Sequence, residues 1–308
     1  MILDYILRRL ALLMFMMLTL SIFTFSLSFL FPGDALTNLS GITNSTFSQT
    51  SALEEKFHFT ENYVVQYFAF LERIIQGDWG ISFASGESVF QHIQDLFPAT
   101  LELSLYALFV SVAVGVPGGI LASAYYKRWP DKFINSGTLI GYSMPVFWLA
   151  LLLIMVFSLQ LGWFPMSGRM GLLYEIEPIT GFILIDIILG DFPYDGMAFL
   201  DAIHHLTLPT IVLAMYPTTV LVRFTRDSML KVLDQSYIKT ARAKGLNRAQ
   251  LILHHALRNA LLPVIKQIGL QFSTLITLAM ITEVIFSWPG IGRWLIDSIY
   301  QRDYPAIQ

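Results

Sequence analysis

The chain has 308 residues, of which 55% are hydrophobic and only 13% are charged. Soluble globular chains run near a quarter charged, so this composition argues against a soluble domain and for a bundle of membrane-spanning helices. A net charge of −3 gives no reason to expect nucleic acid as a partner, and the absence of cysteine excludes disulfides, thiolate catalysis and Cys-ligated metals.

A spanning helix takes about 20 apolar residues. Residues 10–33 are uncharged between Arg9 and Asp34 and form the first predicted span. The run is too long for a signal-peptide core and lacks a small-residue cleavage site, so it reads as retained. Arg8 and Arg9 are then a cytoplasmic anchor rather than a twin-arginine export signal. Residues 34–97 are polar and mixed, which predicts an exposed segment with short helices, Asn44 and Ser48 among its outward positions. The second span is 103–126, uncharged between Glu102 and Lys127. The third lies at about 137–162, with a re-entrant or interfacial tail. The fourth, 206–222, is short and holds Pro209 and Pro217. The fifth is 263–285, with Lys266 near its cytoplasmic end. The apolar run 181–190 is too short to cross and contains Asp186, so it reads as an interfacial helix.

Lys and Arg set the orientation. With the N-terminus and the 127–132 and 223–266 loops inside, 14 of the 19 basic residues are cytoplasmic, leaving Lys56, Arg73, Arg169, Arg293 and Arg302 outside. Only Asp4, Asp131, Asp227 and Asp234 are acids on that inner side. The fold class is an all-α integral membrane protein with five spans, multi-pass, with a cytoplasmic N-terminus.

The inner stretch 237–263, "YIKTARAKGLNRAQLILHHALRNALLP", is cationic and helix-friendly between two apolar segments. It reads as two short helices. Asp234 or Ser236 caps the first and Gly245 supplies its left-handed stop. Asn247 and Gln250 form a capping box for the second, followed by an apolar stripe of Leu251, Ile252, His255 and Leu261. Ala241, Ala243 and Gly245 keep the elbow slim enough for another surface to approach. From the residues alone it is either a docking elbow or a helical positive-inside loop.

Other positions carry two readings each. Gly115, Pro117, Gly118 and Gly119 are a hinge or, more simply, close-packing positions. Pro145 and Pro217 kink spans at a translocation path or are tolerated membrane prolines. Glu283 is an intramembrane acid with a functional role, or an anchor near the outer interface. The outer acids Glu54, Glu55, Glu61, Glu72, Asp78 and Asp95 draw cationic substrates or, more simply, collect where basic residues are excluded. Adjacent histidines at 204–205 and 254–255 point different ways and make poor chelates. No HExxH, GxSxG or paired intramembrane aspartate occurs, which argues against a hydrolase. No Gly-rich phosphate loop with Lys and Ser/Thr occurs either, so ATP binding falls to another chain.

Within the elbow, "KTARAKG" resembles the cytoplasmic motif of binding-protein-dependent ABC permeases, in its peptide-transporter variant. Lys239 stands for the usual Glu and Thr240 for the first Ala, while Ala241 and Gly245 match; "LLP" at 261–263 lies further from the Gly than usual. "YILRRLALLMF", "FPGDAL", "QGDWGIS", "FPATLELSLYALF", "GYSMPVFWLALLL", "GWFPMSG" and, most specifically, "ITEVIFSWPGIGRWLIDSIYQRDYPAIQ" resemble the dipeptide/oligopeptide/nickel permease family over nearly the whole chain. "LLYEIEPITGFILIDIILGD" is most similar to permeases of the Sap peptide/putrescine systems.

The resemblance implies a type I ABC permease bundle in a bacterial inner membrane. It implies an N-terminal helix at 1–33, a periplasmic segment at 34–97 and a transmembrane domain at 98–308 carrying a coupling elbow at about 234–258. Tyr237, Lys239, Thr240, Ala241, Arg242, Ala243, Lys244, Gly245 and Leu246 are then the ATPase-coupling residues, with Pro145, Pro217 and Glu283 on the substrate path. The implied partners are a second homologous permease, two ATPase subunits that bind ATP and Mg, and the bilayer. A periplasmic substrate-binding protein is needed for uptake and dispensable for export. The chain itself carries no cofactor and no catalytic residue. The family has a sixth span after "RDYP", where this chain ends at Gln308. The implied cargo is putrescine, exported, or cationic and antimicrobial peptides. The alternative is a scaffold or channel subunit without ATP coupling, in which deleting the elbow would leave conduction intact.

Overall fold

A computed structural model describes residues 2–42, 47–190 and 195–308. Asn44 lies outside the described residues. In chain order the helices are α1 (Ile2–Leu30), α2 (Ala35–Ser40), α3 (Phe47–Lys56), α4 (Tyr63–Ile75), α5 (Val89–Ala124), α6 (Trp129–Ser143) and α7 (Val146–Leu153). They continue with α8 (Ile183–Leu189), α9 (Asp195–Leu233), α10 (Ser236–Ala243), α11 (Arg248–Gln250), α12 (Leu257–Ile285), α13 (Ile291–Gln301) and α14 (Tyr304–Ile307). Wider π-helical turns, Ile154–Gln160 and Leu251–Ala256, extend α7 and join α11 to α12. The chain forms two compact units, Met1–Asp95 with Trp294–Gln308, and Leu96–Arg293.

Four helical runs are long and apolar enough to cross a membrane: Asp4–Leu30, Val89–Ala124, Gly196–Leu233 and Arg248–Ile285. The pair Trp129–Ser143 and Val146–Gln160 makes a fifth candidate only as a broken span, bent by 101°. The single third span expected at 137–162 is therefore two pieces. The break falls where Pro145 lacks a backbone N–H and forces Met144 into extended geometry, φ −81° and ψ 123°. The fourth span is corrected as well: Pro209 and Pro217 both lie inside an unbroken α9 of 39 residues. The fifth starts at Arg248 rather than 263. At about 1.5 Å per residue, a 38-residue helix runs about 57 Å against about 30 Å of hydrocarbon. The expected 223–266 loop is thus largely the overhanging ends of two spanning helices.

In the first unit, Phe25 of α1 packs with Leu36, Leu39, Phe57 and Phe70. Asp34 caps α2 by accepting from the Thr37 N–H, and Asn62 caps α4 through Val64. Arg73 is stacked over the Phe57 ring at 3.7 Å and donates to Asp78. Burial alone would raise the Asp78 carboxyl, but hydrogen bonds and charges from Arg73 and Lys56 outweigh it and hold the pKa at about 2. Asp303 is buried; it caps α14 and also accepts from the Ser82 hydroxyl and the N–H groups of Phe83 and Ala84.

The second unit is organised on α9. A Cβ on Gly119 would stand 2.6 Å from both Thr225 Cβ and the Val222 carbonyl oxygen, and one on Gly115 would stand 2.8 Å from Leu221 Cβ. These glycines set the approach of α5 to α9, which is the close-packing reading. Away from the elbow, three carboxylates pin the loops. Buried Glu102 accepts from Arg169, which also donates to the Gly181 carbonyl. Asp201 accepts from the Gly171 N–H at 2.6 Å. Asp186 of α8, also buried, accepts from the backbones of Thr180 at 2.7 Å and Gly181 at 3.0 Å.

Candidate functional site

The elbow is built by the C-terminal end of α9, by α10 and by the first turns of the Arg248–Ile285 run. Asp234 does not cap α10, contrary to expectation: α10 starts one residue later, after Gln235, and the Asp234 N–H bonds to the Leu230 carbonyl at 3.2 Å, continuing α9. Its carboxylate instead pairs with Lys239 Nζ at 2.9 Å. Ser236 is the first residue of α10, and the N-cap is Gln235, with no side-chain hydrogen bond. Ile238 is the one fully buried side chain of α10. The Tyr237 hydroxyl accepts from Asn259 Nδ2 at 2.7 Å, tying α10 to α12.

Around that anchor, Tyr237, Lys239, Thr240, Arg242, Ala243, Lys244 and Gly245 are exposed, and Ala241 and Leu246 are half-buried. Gly245 adopts φ +89°, the left-handed stop expected of it, and a Cβ there would meet nothing within 4 Å. The Asn247–Gln250 capping box is present, with Gln250 N–H to Asn247 Oδ1 at 2.8 Å and Asn247 N–H to Gln250 Oε1 at 3.1 Å. The helix it opens is not short. It passes through the π-helical turn Leu251–Ala256 and continues to Ile285, with Leu251 and Ile252 buried as the apolar stripe required. α10 is thus suspended between the ends of two spanning helices.

A second feature braces the same end. Arg226 of α9 grips Asp131 of α6 at two points, and Asp131 also accepts from the Lys127 N–H at 2.8 Å and from Asn135 Nδ2 at 2.7 Å. The signal for it was an acid in a segment otherwise rich in Lys and Arg.

The three path candidates do not share an open surface. Pro145 is exposed at the bend and lines a cavity of 610 Å³ with Leu139, Ile140, Met144 and Trp148. Pro217 is buried within α9. Glu283 is fully buried, accepting from the Thr100 hydroxyl at 2.6 Å and from the Arg293 N–H at 3.1 Å, so it holds the 288–293 loop onto α5. Of the histidine pairs, His205 Nδ1 lies 2.9 Å from the Asp201 carbonyl while His204 stands edge-on to Phe164. Among the described residues no group of three His, Asp or Glu side chains converges on a metal position.

Residues 115–308 match the family described as "Binding-protein-dependent transport system inner membrane component", and residues 2–104 match its N-terminal companion. The chain belongs to this permease family. As such it is the membrane component of an ABC transporter and not its ATPase, and it carries no cofactor of its own. It is 45% identical over 306 residues to the di/tripeptide transport system permease protein DppB of Pseudomonas aeruginosa, covering 99% of this chain and 90% of that one. It is 49% identical over 234 residues to the peptide transport system permease protein SapB of Salmonella typhimurium, covering 76% of this chain and 73% of that one. It is 50% identical over the same length to the putrescine export system permease protein SapB of Escherichia coli, with the same coverage. This permease is a multi-pass inner-membrane protein.

Proposed function

We propose that the permease couples ATP hydrolysis elsewhere to transport through the elbow, with Tyr237, Lys239, Thr240, Ala241, Arg242, Ala243, Lys244, Gly245 and Leu246 as the docking surface. The observation that carries this is the suspension of α10. It buries Ile238, half-buries Ala241 and leaves the rest of its residues exposed, and Tyr237 ties it to α12, so a force on it reaches α9 and the Arg248–Ile285 helix together. That linkage suits a rigid-body rocking of helices that opens a path alternately to each side. The elbow and N-terminus face the cytoplasm and residues 34–97 the periplasm, an orientation supported by the 14-to-5 division of basic residues.

One elbow serves one ATPase subunit. The working unit is therefore a type I bundle paired with a second, SapC-like permease and two SapD/SapF-like ATPases that hold ATP and Mg. A periplasmic binding protein joins when the direction is uptake. The cargo is a peptide or a polyamine such as putrescine, supported by the names of the relatives. Pro145, exposed at the bend, is the path residue we retain; Pro217 and Glu283 are enclosed and act through packing.

Two experiments test this. A thiol placed at Glu87, whose side chain is 64% exposed, reacts from the periplasmic side, and one at Arg248 only from the cytoplasmic side; the reverse pattern overturns the orientation. In proteoliposomes of the full complex, putrescine and a cationic peptide are compared for ATPase stimulation. Stimulation by neither overturns the cargo assignment.

A further inference from the structure

A cavity of 460 Å³ lies behind the elbow. Its walls are Ser123 and Ala124 at the end of α5, Tyr126, Leu230 and Leu233 at the end of α9, Arg242 and Leu246 of the elbow, and Arg248, Leu251 and Ile252 beyond it. It joins two chemistries. Leu230, Leu233, Leu246, Leu251 and Ile252 make an aliphatic surface. Arg242 and Arg248 bring two guanidinium groups to the same space, with Arg248 5.7 Å from the Tyr125 ring centre. Among the described residues no carboxylate pairs with either arginine; the nearby Asp234 is taken by Lys239 at 2.9 Å.

We propose that this cavity binds the headgroup and upper acyl segment of an anionic phospholipid from the cytoplasmic leaflet. Two uncompensated guanidinium groups call for a phosphate, with which Arg forms bidentate hydrogen bonds. A free phosphate or nucleotide would leave the half-buried Leu230, Leu233 and Leu246 wet, whereas a lipid covers them with its own chain. The position, at the ends of spanning helices, is where basic pockets meet lipid phosphates. The leaflet rests on the orientation proposed above; the binding chemistry does not. A lipid wedged here would brace α10 against α5 and α9, making coupling sensitive to anionic lipid.

The test uses the full transporter complex in nanodiscs, with phosphatidylglycerol mixed into phosphatidylcholine and retained lipid counted by native mass spectrometry. The complex is expected to retain phosphatidylglycerol preferentially. Arg248→Gln is expected to lower retention about fivefold and Arg242→Gln similarly, the effect of one basic charge near an anionic surface. Lys231→Gln, an exposed basic residue that does not line the cavity, is expected to retain lipid like the parent. Equal retention by parent and Arg248→Gln overturns the proposal. So does displacement of the lipid by inorganic phosphate, which would make this a soluble-anion site. So does a parent complex without bound phosphatidylglycerol in which an acidic ATPase segment crosslinks into the cavity. Thiol labelling at Arg248 from the periplasmic side would move the leaflet and leave the retention result standing.

Discussion

Arg226 and Asp131, 95 residues apart in the chain, meet in a two-point ion pair with Nε to Oδ1 at 2.7 Å and Nη2 to Oδ2 at 3.1 Å. Their side chains are 18% and 4% exposed. The pair fixes the start of α6 to the last third of α9, so the bent α6–α7 pair and the helix that carries the elbow share one joint. Removing one partner of a buried pair strands the other charge and costs about 3–5 kcal/mol. Arg226→Gln is therefore expected to lower thermal stability sharply. Asp131→Asn with Arg226→Gln should recover much of the loss, since neither charge is then buried alone. A double-mutant cycle read by thermal unfolding in detergent measures this, and additive losses would show that the joint carries no coupling.

At Gly245 the left-handed backbone, not crowding, sets the requirement, because the space beside it is open. A branched side chain there costs on the order of 1 kcal/mol in backbone strain. Gly245→Val should thus insert and accumulate normally while docking ATPase less well. Ala243→Glu should do the same by placing charge on the exposed face. Ala241 is a poorer choice because it is half-buried and a change would also disturb packing. Co-purification of the ATPase alongside transport is the measurement. Full docking and coupled transport in both variants would reduce the stretch to a positive-inside loop.

Gly119 tests the helix approach. Any side chain there collides with Thr225 and the Val222 carbonyl, a backbone atom that cannot turn aside. Gly119→Leu is expected to push α5 from α9 and to destabilise by about 1–3 kcal/mol or more, as overpacking does. Gly137→Leu, inside α6 where nothing lies within 4 Å, is the matched control and should unfold no lower than the parent, since a helix interior favours a side chain over glycine. Equal unfolding temperatures for Gly119→Leu and the parent would mean that α5 and α9 do not touch here.

The Arg73–Asp78–Lys56 cluster sets a pH expectation. The Asp78 pKa is lowered from 3.8 to about 2 in the folded chain, so its stabilising share is complete above pH 3.8 and is lost as pH falls through 2. The difference in unfolding temperature between parent and Asp78→Asn should stay flat from about pH 5 to 8 and shrink below about pH 4. A difference that varies between pH 6 and 8 would place the titrating group elsewhere.

Much of the elbow was legible because its determinants are local. A capping box needs residues three apart, a left-handed stop needs a glycine at a helix end, and the charge asymmetry needs only counting. The same holds for the apolar runs, which announced four of the spanning helices but misjudged their ends. Hydropathy reports where lipid begins, whereas a helix ends where its backbone hydrogen bonding ends, and α9 and the Arg248–Ile285 run overshoot the apolar windows. Two prolines of similar local appearance show the limit. Pro145 stands at a 101° bend between two helices, while Pro217 is buried inside an unbroken helix. Glu283 reads from sequence as an intramembrane acid with a functional role or as an anchor near the outer interface. Only the fold brings Thr100 and the 288–293 loop around it. Thr100 beside Glu283, Thr225 beside Gly119 and Arg226 on Asp131 all come from distant segments. Their roles follow from which helices pack together, and packing is a property of the whole chain that no window of sequence contains.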